Sequence, residues 1–117
     1  RGAEIAVQSY VDAIRARSVD QMRRVYPSLS AAVANDWKTQ FAMVGHDGID
    51  GLSVALTDMK VTPATSGAGA TAQFTVKLTL QQHDCERQTS AILMRGTLRY
   101  DGATWHFELL DQQRAAR

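Results

Sequence analysis

The sequence predicts an α+β domain in which three N-terminal helices pack on one face of a curved four-stranded antiparallel sheet. Three observations carry this. Residues 1 to 46 repeat their apolar positions at helical spacing, residues 52 to 110 repeat theirs at strand spacing, and a chain of 117 residues has room for one core. A sheet with one apolar and one polar face must cover the apolar one, and the helices with apolar stripes are what the chain supplies.

In order, Val7, Tyr10, Val11 and Ile14 recur at i, i+3, i+4 and i+7, predicting a first helix over about Ala3 to Arg17. Ser18 followed by Gln21 is a capping-box pattern that opens a short helix over about Val19 to Val25, which Pro27 ends. Ser28-Leu29-Ser30 offers the next N-cap, and Val33, Trp37, Phe41 and Val44 continue an amphipathic helix. Gly45, Gly48 and Gly51, among His46, Asp47 and Asp50, mark a loop at the crossover from helix to sheet.

Leu52, Val54 and Leu56 alternate until Asp58, after which Met59 and Val61 carry the apolar positions; a bulge near Thr57 or Asp58 absorbs the slip. The segment 62–69 is a turn-forming connector. From Ala70 to Gln81 the alternation is complete, with Ala70, Ala72, Phe74, Val76, Leu78 and Leu80 on one face. Ile92, Met94, Gly96, Leu98 and Tyr100 form the next apolar face. Asp101-Gly102 is a two-residue hairpin signal, and Trp105, Phe107 and Leu109 alternate beyond it. The domain is expected to span residues 1–111, with 112–117 as a polar tail.

Composition excludes several classes. Thirteen basic residues against twelve acidic leave a net charge of +1, and the ten arginines are scattered apart from Arg23-Arg24, which argues against nucleic acid as a partner. One cysteine cannot form an internal bridge. No apolar run approaches the roughly 20 residues that span a bilayer, so no direct membrane insertion of this segment is expected. There is no phosphate-binding or dinucleotide glycine pattern, no Ser-His-acid arrangement, and no cofactor signature. His83, Asp84, Cys85 and Glu86 are metal-ligand types, but neighbours on a tight loop do not converge on one ion, so no metal site is expected.

The first helix with Tyr10 and Ala13, the region Ser18 to Tyr26-Pro27, Leu29-Ser30-Ala31, Trp37 with Phe41, the alternating strands and the closing Tyr100-Asp101-Gly102-Ala103-Thr104-Trp105 hairpin together resemble the NTF2-like (cystatin-like, SnoaL-type) superfamily. The resemblance covers about residues 3 to 110. It implies a cone-shaped α+β fold and frequent dimers, but no single chemistry, since members range from isomerases and dehydratases to binding modules. The tract Tyr26-Pro27-Ser28-Leu29-Ser30, with Trp37 and Phe41, is similar to NTF2-like domains at the C-terminal, extracytoplasmic ends of bacterial serine/threonine protein kinases.

By likeness to isomerase-type members, whose pocket pairs a carboxylate base with a hydroxyl that stabilises an enolate, Tyr10, Tyr26 and Asp58 are the nearest catalytic candidates, with His106 a fourth. Each has a structural reading as well. Tyr10 lies on a core stripe, Asp58 at a break in strand phase, and His106 on the polar face of its strand. If the cone holds a small apolar ligand, Tyr10, Ile14, Tyr26, Trp37, Phe41, Phe74, Met94 and Trp105 surround it. The polar sheet face, with Gln73, Thr75, Lys77, Arg95, Thr97 and Arg99, reads either as plain solvation or as a homodimer interface.

The expected function is a non-catalytic ligand-binding or protein-interaction domain, the sensory or accessory end of a larger bacterial protein. One alternative is a small SnoaL-type isomerase, dehydratase or cyclase using Tyr10 and Asp58 on an apolar substrate; another is a structural dimerisation module. The first residue is Arg1, not Met, so the segment is expected to be a piece of a longer chain. Two compartments stay open, the extracytoplasmic side of a membrane-anchored protein and the cytoplasm, and a lone cysteine fits both.

Overall fold

The structure, a computed structural model, describes residues 2–45, 49–64, 67–82 and 88–114. Helix α1, Gly2–Arg15, buries Ala3, Ala6, Val7, Tyr10, Val11, Ala13 and Ile14 and leaves Glu4, Gln8, Asp12 and Arg15 exposed. Arg17 ends it in the left-handed region at φ 56°. There the Ser18 N–H reaches back to the Ala13 carbonyl at 3.0 Å and the Arg17 N–H to that of Ile14 at 2.9 Å, satisfying carbonyls that the helix end orphans. The same Ser18 then caps α2, Val19–Val25, its hydroxyl accepting from the Gln21 N–H at 3.2 Å. Ser30 caps α3, Ala31–Met43, in the same way through Val33.

The four strands, β1 (Ile49–Pro63), β2 (Gly69–Gln82), β3 (Gln88–Tyr100) and β4 (Trp105–Arg114), form one antiparallel sheet in chain order. The expected α+β architecture is therefore observed. Helix α1 lies on the sheet's inner face, and Arg15 fastens its C-terminal end to β1 by a 3.0 Å hydrogen bond to the Val54 carbonyl. Between them the rings of Tyr10, Tyr26 and Phe107 meet edge to face at centroid distances of 5.6 to 6.5 Å, with Phe74 6.2 Å from Phe107. Each such pair contributes about 0.5–1.5 kcal/mol beyond its buried area.

Both edge strands carry a bulge. In β1 the register slips between Thr57 and Lys60, where Asp58 adopts φ 55°, so the predicted irregularity is present. It brings Val61 back to the inner face opposite Ala72; Met59, expected to fill an apolar position, is exposed instead. In β4 the shift between Thr97 and Leu98 leaves Glu108 as the extra residue. This was not expected, and it reverses the phase. Leu109 turns outward, opposite Thr97, while Leu110 turns into the core, opposite Gly96.

Other boundaries also differ from the sequence-based expectation. The connector expected over 62–69 is shorter, because β1 runs to Pro63 and β2 begins at Gly69. Gly51 lies within β1 because the strand begins at Ile49. The β3–β4 connection is four residues, not two, because the Asp101 carboxylate accepts from the N–H groups of Ala103 and Thr104 at 2.9 and 2.8 Å and so holds a wider turn. Finally, β4 continues to Arg114, pairing Gln112 with Met94 and Gln113 with Leu93, so 112–114 belong to the sheet and not to a tail. The crossover residues His46, Asp47 and Gly48 and the loop His83 to Arg87 lie outside the described residues.

Gly96 makes the β4 bulge possible. A Cβ there would overlap the Leu109 carbonyl oxygen and stand 2.9 Å from Leu110 Cδ1. Gly96→Ala is expected to cost about 1–3 kcal/mol by overpacking, seen as a lower urea midpoint. Gly51→Ala, where a Cβ meets nothing within 4 Å, should move the midpoint far less; equal shifts would show that the Gly96 contact is not what constrains β4.

Candidate functional site

The residues expected to carry chemistry or recognition fall in two places: the interior between α1, α3 and the sheet, and the sheet's outer face. In the interior, Tyr10 and Ile14 are fully buried, Tyr26, Trp37, Phe74 and Met94 nearly so, and Phe41 and Trp105 half-buried. These eight residues do not surround one common space. No described cavity is lined by more than two of them: Trp37 lines a crevice of about 390 Å³ between α3 and the ends of β3 and β4, Phe41 a shallow one beside Arg17 and Lys38, and Trp105 a groove at the start of α1. Trp37 stacks on Phe41 at 5.6 Å along the inward side of α3.

Two tyrosine hydroxyls are held from β4. The Leu110 N–H donates to the Tyr26 hydroxyl at 3.2 Å, which gives a buried backbone donor of the edge strand its partner. Gln112 Nε2 donates to the Tyr10 hydroxyl at 3.3 Å, and Gln112 also lines the 390 Å³ crevice, so a single side chain separates Tyr10 from that space. Burial pushes the Tyr10 phenol well above its ordinary range, reinforced by the nearby Tyr26 phenol and partly offset by the Gln112 and Trp37 side chains. Tyr10 is therefore a neutral hydrogen-bonding group at physiological pH, able to donate but not to act as a base. Asp58, the carboxylate named with it in the enzyme alternative, is exposed on the β1 bulge and lines a different cavity, on the outer face.

That outer face is built by alternation. Across β2 and β3 the outward pairs are Thr71 with Thr97, Gln73 with Arg95, Thr75 with Leu93 and Lys77 with Ala91. Two abutting cavities of about 440 and 420 Å³ share Gln73, Arg95 and Asp111 and form one trough running from Asp58 and Gln113 to Thr62 and Leu109. Of the six residues expected at an interface, Gln73, Lys77, Arg95 and Arg99 are exposed, Thr97 is half-covered and Thr75 is only 8% exposed. Arg99 holds Glu108 at 3.1 Å. Beside Thr75, the Thr57 hydroxyl is buried with no partner among the described residues.

The sequence reading missed the two most informative residues of this face, Leu93 and Leu109, 48% and 53% exposed. A signal existed for each. In the runs Ile92-Leu93-Met94 and Leu109-Leu110, strict alternation forces one apolar side chain outward. His106 lies on the outer-face rung with Arg99, its Nδ1 3.8 Å from Asp101 Oδ2. Among the described residues no three metal-ligating side chains gather, and no described helix is long and apolar enough to cross a membrane.

The Tyr10 environment has a measurable consequence. Because the folded state holds the phenolic proton more tightly than the unfolded chain does, its contribution to stability is complete below about pH 10 and is lost as pH rises through the higher folded-state value. Tyr10→Phe should flatten the decline of the urea midpoint between about pH 10 and 11.5. An unchanged alkaline slope in that variant would place the titrating group elsewhere.

No protein-family model matches the chain, and no curated protein is significantly similar to it in sequence. Solved structures are similar in fold. An NTF2-like family protein from Streptomyces avermitilis, named as a candidate dehydratase, matches with a TM-score of 0.71 at 10% identity over 99% of this chain and 96% of its own. A ketosteroid isomerase-like protein from Erwinia carotovora atroseptica gives 0.68 at 16% identity over 99% and 95%. A candidate calcium/calmodulin-dependent protein kinase type II association domain from Thiobacillus denitrificans gives 0.59 at 23% identity over 97% and 94%. With three helices laid on a curved four-stranded antiparallel sheet that these structures share almost end to end, the chain has the NTF2-like, cystatin-like fold.

Proposed function

We propose that this is a non-catalytic interaction domain that pairs with a second copy of itself through the outer face of its sheet. The observation that carries the proposal is the trough in which Leu93 and Leu109, each about half exposed, stand among Gln73, Arg95 and Asp111. Such a face is self-complementary. In a twofold pairing, residue i meets j while j meets i, so a surface carrying both Arg95 and Asp111 can match charge with charge around an apolar centre. The fold likeness to a candidate association domain points the same way. In a longer chain, such a domain would act as a sensory or accessory end, as the likeness to kinase-terminal domains suggests.

A small enzyme is the second reading, favoured by one observation: the protonated Tyr10 phenol stands one side chain, Gln112, behind the 390 Å³ crevice. The likenesses to a ketosteroid isomerase-like protein and a candidate dehydratase support it at the level of fold. With Asp58 on the outer face, the carboxylates lining that crevice are Asp36 and Asp111.

Sedimentation tests the first reading. The wild type is expected at twice the 12.8 kDa chain mass at micromolar concentration, and a Leu93→Glu, Leu109→Glu double variant at the chain mass with an unchanged circular dichroism spectrum. These positions are preferred to Thr75, whose burial would make a charge there unfold the protein. A monomeric wild type, or a variant that stays dimeric, removes the sheet-face proposal.

A further inference from the structure

On a different surface, the start of α1, the end of α2 and the β3–β4 hairpin enclose a groove of about 480 Å³, within the size range of small-molecule sites. Its wall on α1 is a second stripe beside the core stripe: Gly2, Ile5, Ala6 and Ser9, again at i, i+3, i+4 and i+7. Ile5 is 67% exposed, the most exposed large apolar side chain among the described residues. Opposite stand Tyr100, 41% exposed, and Trp105, their rings 5.6 Å apart and tilted by 41°. The indole is fixed against the helix backbone, for a Cβ on residue 2 would overlap its Cδ1 and Nε1 atoms.

The groove's lining holds one charged group, Arg24 of the last turn of α2, which makes no salt bridge or side-chain hydrogen bond among the described residues. The carboxylates closest in sequence to the lining do not oppose it. Glu4 is off the lining stripe, and Asp101 is absent from the lining and accepts the turn N–H groups of Ala103 and Thr104. An aromatic surface with an adjacent apolar residue takes a flat apolar body, and a guanidinium fork takes a carboxylate by two parallel hydrogen bonds. We infer that this groove is a binding site for a small aromatic carboxylate, its ring against Trp105, Tyr100 and Ile5 and its carboxylate on Arg24.

The test uses the indole N–H resonances. The chain has two tryptophans, so Trp37→Phe leaves the Trp105 signal alone in a proton–nitrogen spectrum. Titration with 2-naphthoate is expected to shift that signal saturably, and its neutral carboxamide to do so more weakly. Arg24→Gln should weaken naphthoate about tenfold or more, as expected for a hydrogen bond to a charged group, while leaving the carboxamide unchanged. A Trp105 signal that does not saturate, acid and amide binding alike, or an Arg24→Gln variant that binds naphthoate as the parent does would each overturn the inference.

Discussion

The Leu109 carbonyl passes so close over Gly96 that no side chain fits between them, and much of the molecule follows from that approach. It is what lets β4 insert Glu108 as an extra residue. The insertion turns Leu109 out and Leu110 in, and the backbone N–H of Leu110 then finds the Tyr26 hydroxyl. Two residues on, the same phase brings Gln112 to the Tyr10 hydroxyl. The apolar part of the outer trough and both interior tyrosine contacts therefore depend on one glycine in the neighbouring strand.

The second bulge, at Asp58, does related work on the opposite edge. A bulge bends its strand and increases local twist, and placing one in each edge strand curls the sheet toward α1. The β1 bulge uses a left-handed aspartate instead of a glycine, and the position is exposed, so no neighbour requires the missing side chain that Gly96 must supply. Edge bulges also spoil the flat, unpaired ladder on which foreign strands add. With its edges interrupted, the sheet keeps its outer face as its broad exposed surface.

The fold was legible in the sequence because its signals are redundant. Four alternating residues in β2 would have been enough, and the strand carries six. Ser18 and Ser30 announced their helices through hydroxyls that do accept from Gln21 and Val33. The β1 bulge was legible because Leu56 and Val61 are an odd number of residues apart. The β4 bulge was not, since Trp105, Phe107 and Leu109 alternate without fault and only the doublet Leu109-Leu110 is ambiguous. The eight residues expected around one pocket are apolar or aromatic for the reason that fills cores, and periodicity does not distinguish a side chain that lines a space from one that fills it. Groove residues Gly2, Ile5, Ala6 and Ser9 went unread because a stripe with one large apolar residue falls below the core stripe beside it.

The two proposed surfaces are rungs of one ladder. Tyr100 pairs with Trp105 in the groove, Arg99 with His106 on the outer face, and Thr97 with Leu109 in the trough. Any coupling between the two surfaces would run along these rungs, with Glu108 and its bond to Arg99 lying between. Coupling of this kind is reciprocal: a ligand that strengthens pairing of two copies by some factor must itself bind the paired form more tightly by that factor. The bulge, where the ladder's rungs are interrupted, is the place where such coupling would be either transmitted or lost, and its rigidity again rests on the close packing of Gly96 against Leu109 and Leu110.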